Sequence, residues 1–295
     1  MSKPPVLMIL VKVYPSRNRG KPSVLMILVK VYPGRNRGKP PVLMIPTKAV
    51  AKTATLPGMK GFARGVIAIK KYDIFLFDAD DTLYDYTLST AHALKSMFEQ
   101  CNFNYTAEIQ ARYGVINLQA WASYEKGEIS IDEMQSVRFA RLFEEMGVYH
   151  DANDFNTRYL YELGKGMFLL DGAVEIFREI ASHNKQIYIV TNGLKATQES
   201  RAKYSPLNEY ITGFFIASEV GHQKPCKEFF EHVFKHIPTP KENMLIIGDS
   251  LTADVEGGNN AGIDTCWLNT HDEENNTHIK PTYEIKNLHQ LKSFI

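Results

Sequence analysis

The chain has 295 residues, room for one large or two ordinary domains, and its 44% hydrophobic and 23% charged residues are the proportions of a soluble globular protein. No uninterrupted apolar run is long enough to cross a bilayer, so no membrane span is expected. The formal net charge of +1 hides an asymmetry: fifteen of the 34 Lys/Arg and none of the 33 Asp/Glu fall in residues 1–72, leaving a strongly acidic body that argues against nonspecific nucleic-acid binding.

The basic head is a repeat. Lys3 to Gly20 reads KPPVLMILVKVYPSRNRG, Lys21 to Gly38 reads KPSVLMILVKVYPGRNRG, and a third copy opens at Lys39 before degenerating. Two near-identical copies of so short a period do not make a solenoid. A membrane-surface or nucleic-acid-binding tail and a targeting segment ending near Ala49-Val50-Ala51 are two readings. The third, upstream sequence translated from a mistaken start with Met59 as the true beginning, explains the repetition most simply. We expect little stable structure in the extension 1–69 and no role in catalysis.

The next element is the most informative. Ile74-Phe75-Leu76-Phe77 is a short apolar run that predicts a buried strand of a parallel sheet, and it ends in Asp78-Ala79-Asp80-Asp81-Thr82-Leu83. Strands of such sheets open onto a ligand crevice at their carboxyl ends, so two carboxylates are delivered to a site. Crowded carboxylates repel one another unless a cation compensates. Oxygen ligands without neighbouring Cys or His suit Mg²⁺, with Mn²⁺ as the alternative ion. An isolated Asp-x-Asp is more often a solvated acidic turn, so a catalytic reading needs partner residues from other parts of the chain.

Between Leu83 and Phe168 the pattern turns helical. Glu108 to Tyr124 and Glu133 to Met146 carry apolar residues at three and four spacing, and Ser130-Ile131-Asp132-Glu133 has the form of a capping box. A second strand, Gln186 to Val190, ends in Thr191-Asn192-Gly193, whose hydroxyl and amide can donate to phosphate oxygens. Gly221-His222-Gln223-Lys224-Pro225 then places an ammonium in a loop. A third strand, Met244 to Ile247, runs into Gly248-Asp249-Ser250-Leu251-Thr252-Ala253-Asp254 and brings a second acidic strand end. The three cysteines, Cys101, Cys226 and Cys266, lack metal or redox spacing and fit a reducing, cytoplasmic setting.

These four segments, each after its own apolar run and in this order, resemble the signature motifs of the haloacid dehalogenase-like (HAD) superfamily of Asp-nucleophile phosphohydrolases. The resemblance implies a doubly wound, Rossmann-like α/β core of residues 70–85 and 168–295, with an inserted helical C1 cap at 86–167. It makes Asp78 the nucleophile that forms an aspartyl-phosphate and Asp80 the acid and base. The Asp78 carboxylate, the Asp80 carbonyl and the Asp249 carboxylate would hold Mg²⁺. Thr191, Asn192 and Lys224 would bind the phosphoryl group, and Asp254 would orient Lys224 or the metal's waters.

Within the cap, the stretches Asn117 to Ile129 and Arg138 to Gly147 resemble the pyrimidine 5'-nucleotidases of the YjjG type, as does Phe77 to Tyr86. That narrower resemblance implies a small phosphorylated metabolite, a nucleoside 5'-monophosphate, as substrate. Tyr84, Tyr86 and Trp121 could stack on its base, with packing inside the cap the competing reading for Trp121 and Tyr86. Sugar-phosphate or other small-metabolite phosphatase activity is the alternative. A phosphomutase or a 2-haloacid dehalogenase is disfavoured, the latter because dehalogenases lack an acid at the position of Asp80.

Overall fold

The computed structural model of the protein describes residues 70–125 and 127–295, together with two N-terminal strands, β1 (Leu7–Tyr14) and β2 (Val24–Val31). The two strands are the apolar runs of the first two repeat copies, and they pair antiparallel with Leu7 opposite Val31. The sequence suggests little order in this extension; the shared run is rich in Val, Ile and Leu, which suit a strand, and each copy supplies the other's partner. The rest of 1–69, with Met59, lies outside the described residues.

The body opens with β3 (Ile74–Phe77), followed by α1 (Tyr86–Gln100), α2 (Ala107–Glu125), α3 (Ile131–Met146) and α4 (Ala152–Lys165). The chain then runs through α5 (Ala173–Ser182), β4 (Gln186–Thr191), α6 (Lys195–Tyr204), β5 (Gly213–Ile216), α7 (Ala217–Val220) and α8 (Lys227–His236). It finishes with β6 (Met244–Gly248), α9 (Gly257–Ala261), β7 (Asp264–Leu268) and β8 (Tyr283–Ile285).

β3 through β8 form one sheet in the order β5-β4-β3-β6-β7-β8, and every neighbouring pair is parallel. Strands covered on both faces need apolar side chains pointing both ways, which is why β3 reads as a continuous apolar run. Phe75 and Phe77 pack with Ile176, Phe177 and Ile180 of α5 on one face. Ile74 and Leu76 pack with Phe229, Phe230 and Val233 of α8 on the other. The helices thus lie on both faces, as in a doubly wound α/β fold.

Strand order decides where a ligand can sit. From β3 the chain moves outward through β4 and β5, then returns to the opposite side of β3 with β6. Connections leave β3 and β6 in opposite directions, so a crevice opens beyond their carboxyl ends. Asp78 follows β3 and Asp249 follows β6, and both carboxylates stand at that crevice.

The helices α1 to α4 build a second apolar cluster from Leu94, Met97, Phe98, Tyr113, Phe139, Phe143, Phe155 and Tyr159. Asp85 caps α1 by accepting from the Leu88 N–H at 2.8 Å. The capping box at Ser130 is present, with the Ser130 side chain accepting from the Glu133 N–H and the Glu133 carboxylate from the Ser130 N–H. Gly147, in the left-handed conformation, ends α3.

Candidate active site

Lys224 is the hub. It is 2% exposed, and its Nζ donates to Asp78 Oδ1 at 2.7 Å and to Asp254 Oδ1 at 2.6 Å. Burial alone would favour the neutral amine, but the Asp254 and Asp78 carboxylates overturn this and hold Lys224 charged. The loop carrying it is tied to the end of β4: Asn192 Nδ2 donates to the Lys224 carbonyl, and the Lys224 N–H donates to Asn192 Oδ1, both at 2.9 Å. The Asn192 side chain is thereby committed to seating Lys224, a different use from the phosphate contact the sequence suggests. Thr191 Oγ1 accepts from the Gly193 N–H at 2.9 Å, which leaves the hydroxyl hydrogen free to donate.

Beyond β6 the chain makes a π-helical turn, Leu251–Glu256, capped by Ser250 accepting from the Ala253 N–H. The turn swings Asp254 back under β6, where its Oδ2 accepts from the Ser250 N–H at 3.1 Å. Gly248 is required for this approach, since a Cβ there would lie 2.0 Å from Asp254 Oδ2.

Asp78, Asp249 and Asp254 bring carboxylate oxygens within 4.8 Å of one another. Burial, opposed by Lys224, pushes the Asp78 carboxyl up to about 7. Burial and the neighbouring Asp78 and Asp254 push Asp249 up to about 8. Asp78 and Asp249 thus hold protons that a divalent cation would displace, and the oxygen-only donor set fits a hard ion. Asp254 is already committed to Lys224 and Ser250, which leaves Asp78 and Asp249 as the carboxylates available to a metal.

Asp80 is placed differently. Its Oδ1 accepts from Arg201 Nη2 at 2.6 Å, and its side chain is not one of the clustered carboxylates. The Asp80 carboxylate thus stands apart from the Asp78, Asp249 and Asp254 group.

Of the aromatic candidates, Tyr84 belongs to the core: it is 4% exposed, its hydroxyl donates to Ser205 Oγ at 2.7 Å, and the Arg201 guanidinium covers its ring at 4.1 Å. That corrects the expectation of a base contact there, because the ring face is occupied by a buried cation. Tyr86 packs against the apolar cluster of α1 to α4, with its phenol oxygen accepting from Asn117 Nδ2 at 3.3 Å. Asn117 in turn accepts from Arg138, a buried guanidinium that also donates to Asn156. Trp121 meets Tyr124 edge-on at 5.9 Å.

Sequence reading missed three residues that organise the site. Thr82, fully buried, joins the loop after β3 to the loop after β6 through Asp249. Trp267 Nε1 donates to the Asp249 carbonyl at 2.7 Å and holds that loop from β7. Arg201 reaches Asp80 across 121 residues of chain. Thr82 adjoins the acidic run and carried a local signal; Trp267 and Arg201 carried none.

The haloacid dehalogenase-like hydrolase family matches residues 72–262. The HAD-hydrolase YfnB of Bacillus subtilis is 40% identical over 224 residues, covering 76% of this chain and 95% of that protein. The pyrimidine 5'-nucleotidases PynA of Streptococcus pneumoniae and YjjG of Escherichia coli are 37% and 33% identical, covering 75% and 76% of this chain and 93% and 98% of theirs. A magnesium-bound crystal structure of YfnB superposes with a TM-score of 0.70 over 75% of this chain and 97% of that one, at 40% identity. An L-2-haloacid dehalogenase from Xanthobacter autotrophicus shares the fold, with a TM-score of 0.60 at 15% identity over 75% of this chain and 97% of that one. The matched stretch contains Asp78, Lys224, Asp249 and Asp254, the residues brought together beyond β3 and β6, and the chain is accordingly an enzyme of the haloacid dehalogenase-like hydrolase family.

Proposed function

We propose that the protein is a Mg²⁺-dependent phosphomonoester hydrolase that works through an aspartyl-phosphate and acts on nucleoside 5'-monophosphates with pyrimidine bases. The observation that carries this reading is the Asp78–Lys224–Asp254 chain of ion pairs beside Asp249. The pyrimidine 5'-nucleotidases at 33% and 37% identity support the choice of ester.

In this reading Lys224 fixes Asp78 through Oδ1, and the carboxylate attacks phosphorus opposite the leaving oxygen. Asp80 gives a proton to the leaving oxygen as the ester bond breaks, then takes one from the water that opens the acyl phosphate. Lys224 and the Thr191 hydroxyl donate to the phosphoryl oxygens as charge develops on them. Asp254 keeps Lys224 charged and aimed. The Asp78 carboxylate, the Asp80 carbonyl and the Asp249 carboxylate would hold Mg²⁺, which when bound neutralises charge on the phosphoryl group. The helices α1 to α4, inserted between Asp80 and Thr191 in the chain, act as the cap that covers the substrate and excludes water.

The test is a phosphate-release screen over pyrimidine and purine 5'-monophosphates and sugar phosphates, with and without Mg²⁺, on the wild type and on Asp78→Asn. Selective release from pyrimidine nucleotides, dependent on Mg²⁺ and lost in the variant, is expected. Equal release by both proteins removes Asp78 as nucleophile, and a preference for sugar phosphates replaces the nucleotidase assignment alone.

A further inference from the structure

Arg201 is a buried cation with one anionic partner. It is 2% exposed, and among the described residues its only ion pair is the 2.6 Å contact of Nη2 with Asp80 Oδ1. Its Nε and Nη1 have no hydrogen-bond partner. A guanidinium taken out of water is costly unless paired and hydrogen-bonded, so two unsatisfied nitrogens in the core are a cost that packing alone does not repay. Apolar side chains of similar volume would fill the place at lower cost.

The surroundings hold Arg201 rigidly. The Tyr84 ring lies against its guanidinium at 4.1 Å, and the Tyr84 hydroxyl is fixed by Ser205. On the same face of α6, three residues earlier, Gln198 is 2% exposed. Its Nε2 approaches the loop after β4: a Cβ at Gly193 would lie 2.7 Å from Gln198 Nε2, 3.0 Å from Thr191 Oγ1 and 3.3 Å from Asp80 Oδ2. The two carboxylate oxygens of Asp80 therefore have different surroundings. Oδ1 is held by Arg201, and Oδ2 faces the Thr191-Asn192-Gly193 loop.

We propose that Arg201 is the positioning residue for Asp80, anchoring Oδ1 so that Oδ2 is aimed at the oxygen that leaves phosphorus. This rests on the phosphohydrolase reading above. As the bond from Asp78 to phosphorus forms and the bond from phosphorus to the leaving oxygen breaks, the proton on Oδ2 passes to that oxygen. In the second half-reaction water loses a proton to Oδ2 and its oxygen takes the phosphoryl group, restoring both carboxyl groups. Arg201 touches neither substrate nor phosphorus and acts through Asp80 alone.

The experiment compares kcat/KM, which reports the first phosphoryl transfer, for two esters on full-length wild type, Arg201→Met and Arg201→Lys. One ester is a pyrimidine nucleoside 5'-monophosphate, whose alkoxide must be protonated as it leaves. The other is p-nitrophenyl phosphate, whose phenolate leaves without an acid. Loss of a positioned general acid should cost Arg201→Met about 30- to 100-fold on the nucleotide and less than about 5-fold on p-nitrophenyl phosphate, with Arg201→Lys in between. Equal losses on both esters, or no loss on either, overturn the proposal, because a merely structural role cannot distinguish leaving groups. Should Arg201→Met fail to fold, the ratio of the two esters in Arg201→Lys decides by the same criterion. A wild type that hydrolyses neither ester refutes the phosphohydrolase reading itself, whereas an active wild type with equal losses in the variants refutes only the role of Arg201.

Discussion

Thr82 and Asp249 exchange two hydrogen bonds: the Asp249 N–H donates to Thr82 Oγ1 at 3.1 Å, and that hydroxyl donates to Asp249 Oδ1 at 3.1 Å. One hydroxyl thus joins the loops after β3 and β6, which carry the two carboxylates free to bind a cation. Its position in the chain, four residues after Asp78, lets the acidic run reach across the crevice and orient the distant partner it needs.

Thr82→Val keeps the shape of the side chain and removes both bonds. Loss of an outer hydrogen bond to a metal-binding carboxylate should weaken Mg²⁺ affinity about 10- to 100-fold, while saturating Mg²⁺ recovers most of kcat. A Mg²⁺ titration of phosphate release measures both.

Mg²⁺ binding should depend on pH and release protons. Burial and carboxylate crowding raise Asp78 to about 7 and Asp249 to about 8 in the metal-free protein, so a cation must displace protons from both at neutral pH. Affinity should rise steadily from pH 6 to 8. Calorimetric titration in two buffers of different ionisation enthalpy counts the protons released.

The same shifts set the sign of a stability effect. A carboxyl whose folded pKa is raised binds more protons folded than unfolded between about pH 4, its unfolded value, and its folded value, so it destabilises the metal-free fold increasingly as pH rises through that window. Asp249→Asn should therefore stabilise the protein in EDTA at pH 8 by on the order of 1–3 kcal/mol, with little effect near pH 4. Thermal melts at the two pH values test it.

Lys224→Met leaves Asp78 and Asp254 buried without their shared cation. Removing one partner of a buried ion pair typically costs about 3–5 kcal/mol, so this variant should melt well below the wild type as well as lose activity. The melting temperature should partly recover at lower pH, where the stranded carboxylates can be protonated.

Deletion of residues 1–58 should leave kcat/KM within about two-fold of the full chain, because the family match begins at residue 72 and the site is assembled from Asp78 onward. Steady-state assays on the two lengths decide it.

The amino-acid pattern was enough to mark which strand ends deliver polar side chains to the crevice. A strand covered on both faces must be apolar throughout, so the polar residue that breaks each run marks the mouth of the crevice, and Asp78, Thr191 and Asp249 were legible for that reason. The helices α2 and α3 were legible from their periodicity, and the start of α3 from its capping box. The edge strands β5 and β8 were not: β5 opens on a glycine and buries only its last two residues, and β8 is three residues long with a glutamate at its centre. The division of charge within the site came from packing: Asp254 and Asp78 share Lys224, Asn192 is spent on the Lys224 backbone, and Asp80 is held by Arg201. Those pairings join residues 30 to 146 positions apart, and hydrogen bonds over such separations are set by how helices pack on the sheet, which local sequence pattern does not encode.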